Sequence, residues 1–311
     1  VTHLPRSKRR LFSVALPTLL AILGCGCSAD AQASNTADIT IDRGTIHLTL
    51  DPGLSVSRDA IRDWVQRAGT AVSGFYGRYP VKAVSIHVAA ADAGSVQDGQ
   101  EFDGDHIEIH LGKDTTPKDL ANEWMMTHEM FHLSQPQVDD DYHWIMEGMA
   151  DYLEPVARVR LGQIKVEQFW RDLVEGMPQG LPQPGDRGLD HTHTWGRTYW
   201  GGSLYWLLAD IRVRQQTHNA KSVRDAATAV LNAGGDGSQD WELDKLLKAY
   251  DAGTGTKVFE ALHDEMGDKP VATDLDALWK SLGVVYDSRT GRVQFDEHAP
   301  LADIRRGITA K

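Results

Sequence analysis

The chain has 311 residues, a formal net charge of −12 and two cysteines. That acidity, without clustered Lys and Arg in the body of the chain, excludes a nucleic-acid surface and predicts a soluble, self-repelling protein. Both cysteines, Cys25 and Cys27, lie near the N-terminus, so no disulfide can staple the rest, and about 280 residues must be held by their own core.

At the N-terminus, Arg6, Lys8, Arg9 and Arg10 precede an apolar run from Leu11 to Gly24, broken by Ser13, Pro17 and Thr18. A basic patch followed by a short apolar run predicts a secretory signal peptide over 1–24. A membrane-spanning helix needs about 20 apolar residues, more than this run holds. Ile22-Leu23-Gly24-Cys25 resembles the lipobox of bacterial lipoproteins, although leucine usually stands where Ile22 does and a small residue where Leu23 does. The resemblance implies lipidation at Cys25 and a small polar tether over 25–37. It further implies an exported protein, anchored by lipid to a bacterial membrane and facing the periplasm or exterior. The alternative is an ordinary cleaved signal.

Alternating apolar residues over Ile39–Leu50, split by Asp42-Arg43-Gly44, predict a strand pair. Ile61, Trp64, Val65, Ala68, Val72 and Phe75 have helical spacing over 56–76. Val84, Ile86 and Val88 predict a strand over 81–89, and His106–Leu111 another. Residues 91–104, rich in Gly, Asp and Gln, read as a loop between them. Thr116-Pro117 is an N-cap with proline in the first turn, opening a helix that runs to about Ser134. A second helix runs from His143 to Leu153, where Pro155 bends or ends it. Helices are predicted over 165–175, 197–217, 221–232, 240–251, 256–266 and 273–282, and a hairpin over 284–295. The layout is α+β: a strand-rich N-terminal subdomain over 38–114 and a helical subdomain over 115–311.

The chemistry concentrates in His128-Glu129-Met130-Phe131-His132. Histidines at i and i+4 share one helix face, so both imidazoles can reach one metal ion. Zinc takes such ligands and lowers the pKa of bound water to about 7, and a neighbouring carboxylate such as Glu129 can then accept the proton.

Downstream stands Trp144-Ile145-Met146-Glu147-Gly148-Met149-Ala150-Asp151-Tyr152-Leu153-Glu154. This segment resembles the "W-L-N-E-G-F-A-x-Y-x-E" helix of the aminopeptidase-N family of gluzincin metallopeptidases. The resemblance implies a thermolysin-like catalytic domain with one zinc ion on His128, His132 and Glu147. It also implies that Asp151, one turn beyond Glu147, orients His128 or His132. Two departures stand out. Only 14 residues separate His132 from Glu147, and Met146 replaces the usual Asn.

Arg197-Thr198-Tyr199-Trp200-Gly201-Gly202 and the residues that follow resemble the "Y-x-K-G" block of the same clan, closest to its glycyl-aminopeptidase branch, with Gly201 where Lys is usual. This implies that Tyr199 donates a hydrogen bond to the tetrahedral intermediate. His191 and His193 are candidates for supporting the same oxyanion. The "G-x-M-E-N" strand that anchors a substrate amine in the aminopeptidase-N branch is not matched over Phe102–His110, where Glu108 is the acid in nearest position. The expectation is therefore a zinc metallopeptidase that acts on a peptide or protein in the cell envelope. The alternatives are a catalytically inactive zinc-binding envelope lipoprotein and a structural lipoprotein without metal.

Overall fold

The structure is a computed structural model that describes residues 35–311. Cys25 and the expected signal segment lie outside the described residues, as does most of the expected tether.

Strands β1 (Thr36–Ile41) and β2 (Gly44–Leu50) form the expected antiparallel pair around Asp42-Arg43. Helix α1 (Arg58–Tyr76) is capped by the Ser57 hydroxyl, which accepts from the Ala60 N–H at 3.2 Å. It is followed by β3 (Ala83–Ala91), β4 (Val96–Phe102) and β5 (His106–Gly112). The five strands form one sheet in the order β1-β2-β3-β5-β4, parallel at β2–β3 and β3–β5 and antiparallel at both edges.

The register places Ile46 beside Val84, Leu48 beside Ile86, and Ile86 beside Ile107. Because side chains alternate across a strand, these residues all face one side, where they are buried. His47, His87, Glu108 and His110 occupy the other side. There His87 Nε2 meets Asp51 at 2.9 Å, and His110 Nε2 meets Glu108 at 3.1 Å.

The stretch read as a loop over 91–104 contains β4. Gln, Asp and Gly are poor strand formers, but pairing to β5 overrides that local preference. The single helix expected over 116–134 is two: α2 (Pro117–Asn122) and α3 (Met125–His132). Thr116 and Asp119 close a capping box on α2, and the Glu123 carboxylate then accepts the Met126 N–H of α3 at 3.4 Å.

Helix α4 (His143–Arg160) continues through Pro155 rather than ending there. It is followed by α5 (Val166–Gly176), α6 (Gly202–Gln216), α7 (Val223–Asn232), α8 (Leu243–Thr254), α9 (Val258–Met266) and α10 (Leu275–Leu282). The hairpin β6 (Val284–Asp287) and β7 (Arg292–Phe295) precedes α11 (Ala302–Thr309). The inner sheet face, α1, α3, α4, α6 and the later helices share one continuous apolar core. No helix among the described residues is long and apolar enough to cross a membrane.

The short link between α3 and α4 is pinned at several points. Tyr250 donates its hydroxyl to Gln135 Oε1 at 2.6 Å, and Gln137 exchanges backbone hydrogen bonds with Gln239 and Trp241 at 2.7 and 2.9 Å. These contacts hold the two site-bearing helices together without a longer connection.

Candidate metal centre

His128, Glu129 and His132 lie on α3, which is buried along nearly its whole length. Glu147 lies in the first half of α4, which packs against α3. Three donor atoms converge there. His128 Nε2 is 3.2 Å from His132 Nε2 and 3.1 Å from Glu147 Oε2, and His132 Nε2 is 3.6 Å from that same oxygen. Metal–nitrogen bonds of about 2.0–2.1 Å in a tetrahedron put neighbouring ligands roughly 3.3 Å apart, so the triangle suits one tetrahedral divalent ion. Two imidazole Nε2 atoms facing each other at this distance can share at most one proton, which also favours a bound cation. His128, His132 and Glu147 form the group of buried residues that could hold a metal ion among those described.

The surroundings orient these donors. Asp151 Oδ1 stands 3.1 Å from His128 Nδ1, which has no aligned hydrogen-bond acceptor, so the contact is a charge interaction on the ring edge away from the triangle. A carboxylate at that nitrogen turns the other one toward the metal position. Of the two histidines, then, it is His128 that Asp151 meets. His143, one turn before Glu147, reaches the other oxygen of Glu147, with Nε2 at 2.9 Å from Oε1.

Burial works to raise the Glu147 carboxyl, yet His132, His128 and His143 outweigh it and hold the group well below the usual carboxylate range. Burial works to lower both imidazoles, but Asp151 and Glu147 raise His128, and Glu147 raises His132. Glu129 is raised by burial, opposed by the two histidines and by the backbone N–H of Glu101, which donates to its carboxylate.

Tyr199 sits in a π-helical turn, Arg197–Gly201, that leads into α6. Its ring stacks on His128 with centroids 6.4 Å apart, and on Trp195 at 5.8 Å. Burial, then the carboxylates of Glu147, Asp151 and Glu129, raise its phenol, which keeps it protonated as a donor. The turn is held from beneath by the buried ion pair of Arg197 Nε with Asp186 at 2.8 Å.

The glycine after Glu147 has a steric role. A Cβ on Gly148 would stand 2.1 Å from the carbonyl carbon of Gly202, and one on Gly202 would stand 2.2 Å from the Trp144 oxygen. The paired glycines therefore let α6 begin against α4, which brings Tyr199 next to the triad.

His191 and His193 are not drawn into this group. His191 Nε2 pairs with Asp268 at 2.7 Å and His193 Nε2 faces Asp141 at 3.7 Å, and both side chains are exposed. Their neighbour Asp190 is the buried member of that segment. It accepts from Trp144 Nε1 at 2.9 Å and meets His263 Nε2 at 2.8 Å, which ties the start of α4 to α9.

Sequence reasoning passed over Glu101. It lies on β4 opposite Ile107, so it shares the buried face of the sheet. Two residues before it, Gly99 leaves room for Met125 at the start of α3, since a Cβ there would come within 3.0 Å of Met125 Cγ. Burial pushes the Glu101 carboxyl up to about 7. Its oxygens accept from the Gly104 N–H and, at 3.5 Å, from Gln137 Nε2. Glu108, the acid singled out in the sequence, lies on the opposite face between His87 and His110. The signal for Glu101 was strand register, which a segment read as a loop does not supply.

No family model matches the chain, and no curated protein matches it. Solved structures do. An aminopeptidase N family protein from Idiomarina loihiensis is 14% identical with a TM-score of 0.59, covering 80% of this chain and 49% of that one. The M1 zinc metallopeptidase from Deinococcus radiodurans is 15% identical with a TM-score of 0.51, covering 77% of this chain and 52% of that one. A variant of a two-domain M1 zinc metallopeptidase bound to L-tryptophan is 14% identical with a TM-score of 0.52, covering 76% and 52%. The chain spans about half the length of these structures. At such identities the likeness is one of fold: a mixed α+β arrangement, sheet-rich then helical, similar to the domains of M1 peptidases.

Proposed function

We propose that the chain is a zinc-dependent metallopeptidase of gluzincin type. The observation that carries this reading is the convergence of His128 Nε2, His132 Nε2 and Glu147 Oε2 beside the buried carboxylate of Glu129. Two imidazoles and one carboxylate are a catalytic zinc set, with three protein ligands and one open position. When bound, zinc supplies acidity to a water molecule and polarises the carbonyl to be attacked.

The chain's own groups do the rest. Glu129 takes a proton from the attacking water. Its raised carboxyl can then hold that proton and pass it to the leaving amine. Asp151 keeps the His128 ring turned toward the metal position. Tyr199, kept protonated by its burial and by the carboxylates around it, donates a hydrogen bond to the oxygen that gains charge. Strand β4 is an edge of the sheet, and its backbone at Glu101 lies against Glu129, so an extended peptide that joined this edge would run beside the reacting groups.

The test is turnover of a peptide library by the zinc-loaded full chain and by Glu129→Gln. We expect Glu129→Gln to bind zinc as the wild type does and to lose at least about 100-fold in turnover. Cleavage by Glu129→Gln at the wild-type rate, or a zinc-loaded wild type that cleaves no peptide, would contradict this function.

A further inference from the structure

A cavity of about 510 Å³ opens where the C-terminal ends of α4 and α6 meet the start of α7. None of its lining residues belongs to the metal triad. Four cations line it: Arg160, Arg214, Lys221 and Arg224. Two of them are neutralised nearby. Arg214 Nε donates to Asp210 Oδ1 at 2.8 Å, and Lys221 Nζ meets Asp225 Oδ1 at 2.9 Å.

The other two are not neutralised. Arg224 donates its Nε to the carbonyl of Phe75, which is an uncharged acceptor. Arg160, at the last turn of α4, has no hydrogen bond or ion pair among the described residues. Burial, and then Arg224 and Arg214, disfavour its charge, and Asp210 only partly offsets them. One concave wall of a chain with net charge −12 thus holds two unmatched guanidinium groups. Thr228, one turn beyond Arg224 on α7, lines the same cavity, and its hydroxyl has no hydrogen bond among the described residues.

We propose that this cavity binds a phosphoryl dianion, held by Arg160 and Arg224 with Thr228 beside them. A dianion matches the two unneutralised charges. The planar guanidinium fork suits phosphate oxygens two at a time. A long polyanion such as nucleic acid would meet the repulsion of the rest of the surface, whereas a small ligand fits within the cavity.

The test is titration of the full chain with inorganic phosphate, followed by calorimetry and thermal unfolding, with sodium chloride at matched ionic strength as control. We expect saturable binding and a rise in Tm that chloride does not reproduce. Arg160→Gln should weaken phosphate binding about tenfold or more. Since Arg160 makes no hydrogen bond or ion pair to lose, and burial, Arg224 and Arg214 disfavour its charge, Arg160→Gln should match or exceed the wild-type Tm when phosphate is absent, which separates loss of the site from loss of the fold. Arg224→Gln should weaken binding similarly.

Vesicles containing phosphatidic acid distinguish the source of the ligand. Sedimentation with them, lost in Arg160→Gln, assigns a lipid headgroup. Phosphate binding without sedimentation assigns a free phosphate compound. Either result supports the site. A phosphate response no larger than that of chloride, or unchanged phosphate affinity in both variants, overturns it.

Discussion

Glu147 meets a different imidazole group on each of its oxygens. His128 and His132 face Oε2, and His143 faces Oε1 at 2.9 Å. Asp151 completes the set from the far edge of His128. Its effect can be isolated. Asp151→Asn removes the charge at His128 Nδ1 while keeping the shape, and zinc affinity should fall by about 10–100-fold in competition with a chelator. The same titration has a defined pH dependence. Asp151 and Glu147 raise His128 and Glu147 raises His132 against their burial, so protons compete with zinc for both, and wild-type affinity should increase as pH rises. An affinity that stayed flat or fell over that range would argue against imidazole ligation.

At this scale the sequence was informative where partners are near in the chain. His128 and His132 share one helix face, as Glu147 and Asp151 do on the next helix, and the family resemblance joined the two pairs. Glu101 and Asp190 were not legible, because their partners, Glu129 and His263, come from other elements.

Between elements, the close crossing of α4 and α6 decides whether Tyr199 reaches the site. Gly148→Ala would force a methyl group into backbone atoms of Gly202. Urea unfolding should show a loss of about 1–3 kcal/mol, the usual cost of overpacking. A variant as stable as the wild type would mean that the two helices need no such contact.

The same crossing explains why glycine follows Glu147, which the sequence showed only as a motif letter. The strands and helices with clear apolar periods, such as β3 and α1, stood where that pattern put them. β4 did not, because its residues are polar and it becomes a strand only through pairing with β5. The break between α2 and α3 was hidden too, since Glu123 and Trp124 do not disrupt a helical apolar pattern.

For the whole molecule, the α+β order was legible from the change in periodicity near residue 115, and the fold is similar to that of M1 peptidase domains. Export and lipid anchoring rest on the N-terminal sequence alone. We propose that Cys25 carries the lipid. Mass spectrometry of the mature protein should show an acylated Cys25 as its first residue, and Cys25→Ser should abolish the added mass. A mature chain that begins elsewhere, without acyl mass, would contradict the proposal.

The proposed function needs one metal ion held by residues from two helices. Elemental analysis of the purified full chain tests this most directly. It should find one zinc per chain in the wild type and in Glu129→Gln, and far less in His132→Ala and Glu147→Ala. Equal zinc in all four proteins, or none in the wild type after reconstitution, would contradict the account.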